Sequence, residues 1–331
     1  MQTQVEYKQE AQYAQDMSAM TALCKAAGDP LRMQILKVLQ QNAYGVLELC
    51  AVFGIQQSAM SHHLKVLSSA SLVATRREGT SIFYRRNELH PNSDLQALLD
   101  SLFQTLDLAV LDLGYTHRLV SINAERSAAS VAFFNQNASR FEQNQDLIAS
   151  WSDYGESIEE FLAKHMSGRE SVLEIGPGYG HFLKALSDLF VQVIALDNSE
   201  EMLERCKSRA IEQGLDNVEF LLGDTQRATG LRPKFDCVSL NMVLHHNPTP
   251  AEIIADCAQL LKINGVLIIT ELCAHDQEWA KQSCGDIWLG FEPKALTRWT
   301  KAAGLTEGNS LYLTQRNGFR SQLRQFKLEI I

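Results

Sequence analysis

The chain has 331 residues, 45% hydrophobic and 21% charged, a balance typical of a globular protein with more than one core. Its net charge of −9 excludes a surface that is basic throughout, so any nucleic-acid contact requires a local basic face. Its apolar runs are shorter than the ~18–20 residues of a membrane helix, and its polar first residues do not resemble a secretion signal. The seven cysteines form no CxxC pair, which favours reduced thiols and a cytoplasmic location.

Helical patterns begin the chain. Gly28 ends a first amphipathic helix, and Asp29 with Pro30 supplies the cap and first turn of a second one. Apolar residues at helical spacing predict the inner face of the first helix. That face consists of Tyr13, Met17, Met20, Cys24 and Ala27.

A helix-turn-helix pattern follows the second helix. A short helix over 46–53 ends at Gly54, and the run QSAMSHHLKVLSSA then predicts a helix with Met60, Leu64 and Leu67 facing inward. The second helix of such a motif enters the major groove of DNA, so its outward side chains are candidate DNA-binding residues. They are Gln57, Ser58, Ser61, His62 and Lys65.

The run LVATRREGTSIFYRRN predicts a β-hairpin around Glu78-Gly79. Residues 61–90, from the predicted recognition helix through the hairpin, contain five Lys/Arg and two Glu. This region is therefore the local basic face that DNA binding would require. A basic hairpin can also be a solvated edge strand, so the order of elements carries the prediction. The arginines of the hairpin are Arg76, Arg77, Arg85 and Arg86, of which the first three are candidate DNA-binding residues.

The segments GDPLRMQILKVL, ELCAVFGIQQSAMSHHLKVL and LVATRREGTSIFYR resemble the ArsR family of dimeric winged-helix repressors, over residues 17–112. The resemblance implies a homodimer that binds an inverted-repeat operator in double-stranded DNA. A leucine-rich stripe on the last helix of the domain suits a helix–helix interface. It consists of Leu95, Leu98, Leu99, Leu102, Leu106, Ala109, Val110 and Leu113.

The metal sites of that family do not carry over. Gly45 and Leu47 stand where the arsenic-type site has cysteines, which leaves only Cys50, and 93–113 contains no histidine. Because such metals need thiolate or imidazole clusters, no metal is expected. Residues 113–150 then read as a helical linker whose apolar face includes Phe134 and Phe141. Packing in the core and covering a cofactor both remain open for these two side chains.

An alternation of strands and helices follows the linker and predicts a parallel, doubly wound sheet with a ligand at the carboxyl ends of its strands. In EIGPGYG, glycines let the backbone approach a ligand, and the next helix offers N–H groups to a carboxylate. A carboxylate after the second strand can accept both hydroxyls of a ribose. The candidate cofactor-binding residues are Glu174, Gly176, Gly178, Gly180, Asp197, Asn198, Met202, Gly223, Asp224 and Asn241.

This second region resembles the class I S-adenosylmethionine-dependent methyltransferases, which implies S-adenosylmethionine or S-adenosylhomocysteine as the cofactor. The run NMVLHH replaces the Asn/Asp-Pro-Pro-aromatic segment of enzymes that methylate bases or glutamine, so those substrates are not expected. His245 and His246 can be a structural pair beside the cofactor, can supply a catalytic base, or can be metal ligands. As ligands they lack sequence companions, because Cys273, His275 and Asp276 follow a different strand.

The predicted fold is α/β: an N-terminal winged helix-turn-helix, mostly α, and a C-terminal Rossmann-like class I methyltransferase fold. Its expected parts are a DNA-binding and dimerisation domain over 1–112, a linker over 113–150 and a cofactor-binding domain over 151–331. The fusion resembles ArsR-type regulators that respond to S-adenosylhomocysteine and control methionine-cycle genes. The alternative is an active small-molecule methyltransferase with an attached autoregulatory DNA-binding domain. The sequence assigns no catalytic residue and does not decide which nucleoside is the effector.

Overall fold

The computed structural model describes residues 17–78, 81–87, 90–166, 168–230, 234–315 and 317–329. The chain divides into two compact units, Met1–Ala124 and Glu125–Ile331. Two residues that the sequence analysis used, Tyr13 and Gly79, lie outside the described residues.

The first unit is mostly helical. Its elements are α1 (17–27), α2 (Pro30–Val38), β1 (Tyr44–Gly45), α3 (Val46–Phe53), α4 (Gln57–Ser69), β2 (Val73–Glu78), β3 (Ser81–Arg86), a 3-10 turn (Ser93–Leu95), α5 (Gln96–Asp107) and the first half of α6 (Leu113–Asn137). Asp29 caps α2, since its carboxylate accepts the Arg32 N–H at 2.9 Å. Gly54 has a left-handed φ of 66°, which allows the sharp turn between α3 and α4.

The buried face of α1 differs from the prediction. Leu23 and Ala26 pack into the core, whereas Met17 and Met20 are 48% and 36% exposed. The Ala-rich sequence of this helix offers two stripes at helical spacing, and the one that contains Leu23 meets α2 and α4 in the core.

The predicted hairpin is part of a three-stranded antiparallel sheet in the order β1-β3-β2. Arg86 is not on its basic face, which corrects the sequence analysis. The guanidinium is buried, donates to the Leu36 carbonyl at 2.7 Å and to Asp107 at 2.6 Å, and lies over the Phe103 ring. Arg86 therefore joins the hairpin to α2 and α5.

The second unit contains the rest of α6 and an α/β sandwich. Its further elements are α7 (Phe141–Gln145), α8 (Trp151–His165), β4 (Ser171–Ile175), α9 (Leu183–Leu189), β5 (Gln192–Asp197), α10 (Glu200–Glu212), β6 (Val218–Leu222), α11 (Thr225–Gly230), β7 (Phe235–Asn241), a 3-10 turn (Leu244–His246), α12 (Pro250–Leu260), β8 (Leu261–Leu272), α13 (Trp279–Cys284), α14 (Pro293–Ala302), β9 (Leu305–Thr314) and β10 (Arg320–Leu328).

Within the described residues, seven strands form one sheet in the order β6-β5-β4-β7-β8-β10-β9. The first five in this order run parallel, and β10 and β9 are added antiparallel at one edge. The order reverses direction at β4, so a crevice opens beyond the carboxyl ends of β4, β5 and β7. In the part of the chain described above, no helix combines the length and apolar character that spanning a bilayer requires.

Candidate functional site

A deep cleft opens beyond the carboxyl ends of β4, β5 and β7. It contains about 1080 Å³ of empty space, including the solvent at its mouth. The loop after β4, the ends of β5 and β7, and residues of α6, α7 and α8 form its walls. Of the predicted cofactor-binding residues, Gly176, Gly178, Asp197, Asn198, Met202 and Asn241 line this cleft.

The glycine loop after β4 brings bare backbone to the cleft. Gly176 and Gly178 have φ of 64° and 58°, in the left-handed region that favours glycine. A Cβ on Gly176 would lie 2.7 Å from a methyl group of Val243, while a Cβ on Gly178 would meet no atom within 4 Å. Gly178 thus faces open space that a ligand can occupy. Gly176 lets the loop pack closely against Val243, just after β7.

Asp197 supplies the acidic group of the cleft. It is partly buried at the end of β5, and its Oδ1 accepts the Ser199 N–H at 2.8 Å. Burial raises the pKa of Asp197 to about 6, even though the backbone N–H groups of Ser199 and Asn198 lower it. At neutral pH the group is a carboxylate that can accept hydrogen bonds from hydroxyl groups.

Four of the predicted residues do not line the cleft. Glu174 is fully buried, and burial raises its pKa to about 8. A Cβ on Gly180 would lie 2.9 Å from Cys206 Sγ, so this glycine allows the loop to pack on α10.

The other two predicted residues that do not line the cleft, Gly223 and Asp224, follow β6. Gly223 lies against Arg227, where a Cβ would be 2.5 Å from the side chain. Asp224 is exposed, and its Oδ1 accepts the Arg227 N–H at 2.9 Å at the start of α11.

Aromatic side chains from the linker and α8 complete the cleft. Phe134 and Phe141 both line it and contact each other edge to face, with 5.1 Å between ring centroids. Trp151 stacks on His181 with 6.2 Å between ring centroids, and Tyr154 lines the cleft together with Asn241. Sequence analysis missed Trp151 and Tyr154, because a helix that merely looks amphipathic gives no sign of which side chains meet a ligand.

A His–carboxylate contact lies in the wall of the cleft. His181 Nε2 is 2.6 Å from Glu142 Oε1, and Arg209 lies 3.8 Å from the same carboxylate oxygen. Both His181 and Glu142 line the cleft. Such a pair can hold a proton at a defined ring nitrogen.

The adjacent histidines of the 3-10 turn after β7 are buried, and His246 lines the cleft. Their acidic neighbours are Glu271 and Asp286, neither of which sequence analysis had considered. Trp288 and Phe291, which follow α13, are buried and do not line the cleft.

A candidate DNA-binding surface lies on the first unit. All five predicted side chains on α4 are exposed, while Met60, Leu64 and Leu67 are buried beneath them. On the β2–β3 sheet Arg77 and Arg85 are exposed, and Arg76 is partly buried, which lowers its pKa.

Comparison with known proteins identifies both regions. Residues 29–75 match the model of the bacterial regulatory proteins of the arsR family, and residues 167–306 match a methyltransferase domain. The uncharacterized methyltransferase YcgJ of Bacillus subtilis is 29% identical over 140 residues, 42% of this chain and 53% of that protein. A ubiquinone biosynthesis O-methyltransferase of Coxiella burnetii is 26% identical over 147 residues, 40% of this chain and 62% of that protein. The chain thus spans about half to three fifths of these curated relatives.

Solved structures with similarity to the chain include YcgJ of Bacillus subtilis, with a TM-score of 0.45, 17% identity, and coverage of 54% of this chain and 100% of that chain. The N-methyltransferase NodS of Bradyrhizobium japonicum, in complex with S-adenosyl-L-homocysteine, gives a TM-score of 0.44 at 18% identity, with coverage of 57% and 97%. From the family matches, the chain carries an arsR-family helix-turn-helix over residues 29–75 and a methyltransferase domain over residues 167–306.

Proposed function

We propose that this protein is a transcriptional regulator that binds operator DNA as a homodimer and whose DNA affinity depends on S-adenosylmethionine or S-adenosylhomocysteine in the cleft. Genes of methionine and methyl-group metabolism are the proposed targets, since their products control the ratio of these two nucleosides. The observation that carries the proposal is α6, a single 25-residue helix that supplies side chains to both units.

At its beginning, α6 contacts the first helix of the helix-turn-helix motif. The Tyr115 ring lies 4.8 Å from that of Phe53, and Arg118 Nε donates to the Val52 carbonyl at 2.5 Å. Both Phe53 and Val52 belong to α3, which directly precedes the candidate recognition helix α4.

At its end, α6 contacts both sides of the cleft. Ser130 Oγ donates to the His246 carbonyl at 3.0 Å, after β7. Ser199 Oγ donates to Asn135 Oδ1 at 2.7 Å, in the loop that carries Asp197. A ligand that moves either loop therefore acts on the same helix that contacts α3.

The chemistry of the cleft suits an adenosyl amino acid. The Asp197 carboxylate would hold the ribose hydroxyls, and the backbone around Gly178 would hold the carboxylate of the amino-acid part. Asn198, Met202 and Asn241 are the further proposed contacts. Glu174, Gly180, Gly223 and Asp224 stay proposed binding residues in supporting positions. When bound, S-adenosylmethionine would supply a positively charged sulfur and an electrophilic methyl group, both of which S-adenosylhomocysteine lacks.

An exposed apolar surface on the first unit supports the homodimer. Part of the predicted leucine stripe is internal, since Leu99 and Leu106 pack in the core. Leu98, Val110 and Leu113 stay exposed, with Val110 at 93%. Apolar side chains at this exposure are the kind that dimer formation covers.

For the ligand to change the DNA affinity, it needs only to bind one of two states of the dimer more tightly than the other. A shift from 1:99 to 99:1 takes about 5.5 kcal/mol of differential affinity, which the two clefts of a dimer would share.

The test is operator affinity, measured by fluorescence anisotropy at fixed salt on a fragment selected from genomic DNA. We expect at least a tenfold change with saturating S-adenosylhomocysteine or S-adenosylmethionine, and none with adenosine, which lacks the amino-acid part. Calorimetry on the same samples separates the two ways of failing. Tight binding without any effect on DNA would contradict gating, and absence of binding would contradict the assignment of the cleft.

A methyltransferase acting on a small hydroxyl compound is the second candidate. It is favoured by the His181–Glu142 contact at the cleft, which can accept a proton from an attacking hydroxyl, and by relatives named as O-methyltransferases. Transfer of labelled methyl from S-adenosylmethionine to catechol-type acceptors would support it. Tight cofactor binding without turnover across such a panel would count against it.

A further inference from the structure

The two histidines of the turn after β7 form a buried cluster with two carboxylates from other segments. His245 and His246 follow each other in the chain, Asp286 follows α13, and Glu271 lies on β8; Asp286 is 4% exposed and Glu271 fully buried. One ligand atom each from His245, His246 and Asp286 can be chosen so that all three lie within 4.8 Å of one another. The sequence brings these groups from three separate segments to one point.

The facing atoms of the cluster are not hydrogen-bonded to one another. His246 Nδ1 lies 3.3 Å from the Gly285 carbonyl oxygen, so a metal bound at Nδ1 would replace this contact and move the ring proton to Nε2, which has no partner among the described residues. His245 Nε2 is 3.8 Å and His246 Nδ1 3.6 Å from Asp286 Oδ1, both too long for a hydrogen bond. Among the described residues, neither oxygen of Asp286 has a hydrogen-bond partner, and His245 Nε2 has none either. Lys281 acts on Asp286 only through its charge. A buried carboxylate left in this way is costly unless a cation satisfies it.

Glu271 fixes the orientation of His245. Its Oε1 is 2.5 Å from His245 Nδ1 and also accepts the Leu272 N–H at 2.6 Å. The proton of the neutral imidazole is therefore on Nδ1, and the lone pair of Nε2 is on the side of Asp286. Metal-binding histidines are typically held by a carboxylate in this way.

We propose that His245, His246 and Asp286 bind one divalent transition-metal ion, with Glu271 as the positioning residue for His245. Ligand atoms around tetrahedral zinc lie ~3.4 Å apart for bonds of ~2.0–2.1 Å, so the two separations from Asp286 Oδ1, 3.6 and 3.8 Å, need a contraction of only a few tenths of an ångström. With both imidazoles neutral, as metal binding requires, Glu271 and Asp286 together carry a charge of −2, which a divalent ion neutralises and which the charge of Lys281 near Asp286 offsets in part. Three protein ligands leave a coordination position for water or a ligand, and His246 belongs to the wall of the cleft.

This proposal reverses the expectation from sequence that the chain has no metal site. Sequence analysis found no companion ligand for His245 and His246, because Asp286 comes from a distant segment of the chain. A proton on His245 is the competing way to balance Asp286, and it needs no metal. The experiment therefore has to distinguish a proton from a metal.

The probe is Zn²⁺ alone, with the full chain stripped by chelator, dialysed at micromolar free metal and analysed by mass spectrometry. We expect one zinc per wild-type chain and less than a tenth of that in Asp286→Asn, which keeps the side-chain shape but removes the charge. Asp276→Asn is the matched control, because Asp276 is an exposed aspartate in the adjacent loop. It should bind zinc like the wild type.

Two further readouts keep the test decisive. Zn²⁺ should raise the midpoint of thermal unfolding of the wild type and of Asp276→Asn, but not of a folded Asp286→Asn. Co²⁺ in place of zinc should show visible d–d bands without the near-ultraviolet charge-transfer band of thiolate ligands, which excludes the seven cysteines as the site. A wild type without zinc, or zinc retained by Asp286→Asn, would overturn the proposal.

Discussion

At the scale of single residues, one carboxylate illustrates how position decides chemistry. Asp197 has its Oδ1 held by a backbone N–H at 2.8 Å while burial raises its pKa. The folded protein thus holds a charge that burial disfavours, and a ligand with hydroxyl groups would stabilise that charge. The charge at this position therefore does not stabilise the unliganded chain, which fits the proposed role of Asp197 in ligand binding.

We expect Asp197→Asn to weaken S-adenosylhomocysteine binding by 10- to 100-fold, because an amide cannot accept hydrogen bonds from two hydroxyls as a carboxylate does. Affinity of the wild type should be constant above about pH 7 and fall as the pH drops through 6, the pKa of Asp197. Titration calorimetry from pH 5 to 8 measures both.

The stability of the unliganded fold should depend on pH in the opposite sense to ligand affinity. The folded-state pKa lies above the unfolded value, so ionisation of Asp197 costs stability as the pH rises from about 4 through 6, and Asp197→Asn should be as stable as the wild type at pH 7 or more stable. DNA binding of the unliganded protein should not change. The control is Asp188→Asn, an exposed aspartate paired with Lys184 on α9. Unchanged affinity in Asp197→Asn would refute the ribose assignment.

At the scale of elements, α6 is the helix that we propose carries the effect of the ligand to the helix-turn-helix. It runs unbroken from Leu113 to Asn137, although the compact units divide at Ala124. Tyr115 and Arg118 belong to one unit, and Ser130 and Asn135 to the other. A helix transmits displacement only while its backbone hydrogen bonds are intact. An experiment should therefore change the stability of α6 near Ala124, where the two units divide.

The double variant Ala124→Gly/Ala128→Gly should uncouple the ligand from DNA. Both alanines are exposed on α6, and each glycine costs the helix about 1 kcal/mol. We expect nucleoside affinity and operator affinity, each measured alone, to stay within twofold of the wild type. The ratio of operator affinities with and without S-adenosylhomocysteine should fall toward one. Ala124→Lys/Ala128→Lys, which preserves helix propensity, should retain the wild-type ratio; equal loss in both variants would contradict the role of helix stability.

At the scale of the whole molecule, the distribution of charge matters more than its sum. A chain with a net charge of −9 repels DNA, so binding depends on the exposed basic side chains of α4 and the β2–β3 sheet. Arg86 does not contribute, since Asp107 and the Leu36 carbonyl hold it inside.

Arg77→Ala should therefore weaken binding to all DNA sequences alike and reduce the salt dependence, d log K/d log[salt], by about 0.9. Anisotropy titrations from 50 to 300 mM salt measure this slope. Arg205→Ala makes the same change of charge on exposed α10 and should leave the slope unchanged. A change in base preference instead of slope would mean that Arg77 contacts base edges.

The parts of the molecule that sequence could predict are those encoded locally. The glycine loop with Asp197, and the polar face of α4 over Met60, Leu64 and Leu67, depend on spacings within one turn or one strand. Partners that meet from distant segments could not be found in this way. Glu142 with His181, Arg86 with Asp107, and Asp286 with the histidine pair each depend on how sheets and helices pack.

The stacked pair of Trp151 and His181 has a practical consequence. All four tryptophans of the chain, Trp151, Trp279, Trp288 and Trp299, lie in the second unit, and Trp151 lines the cleft. Intrinsic fluorescence excited at the indole band therefore arises from the methyltransferase half alone. This fluorescence offers a label-free signal of cleft occupancy. The first unit contains no tryptophan, so it would add no tryptophan emission of its own to that signal.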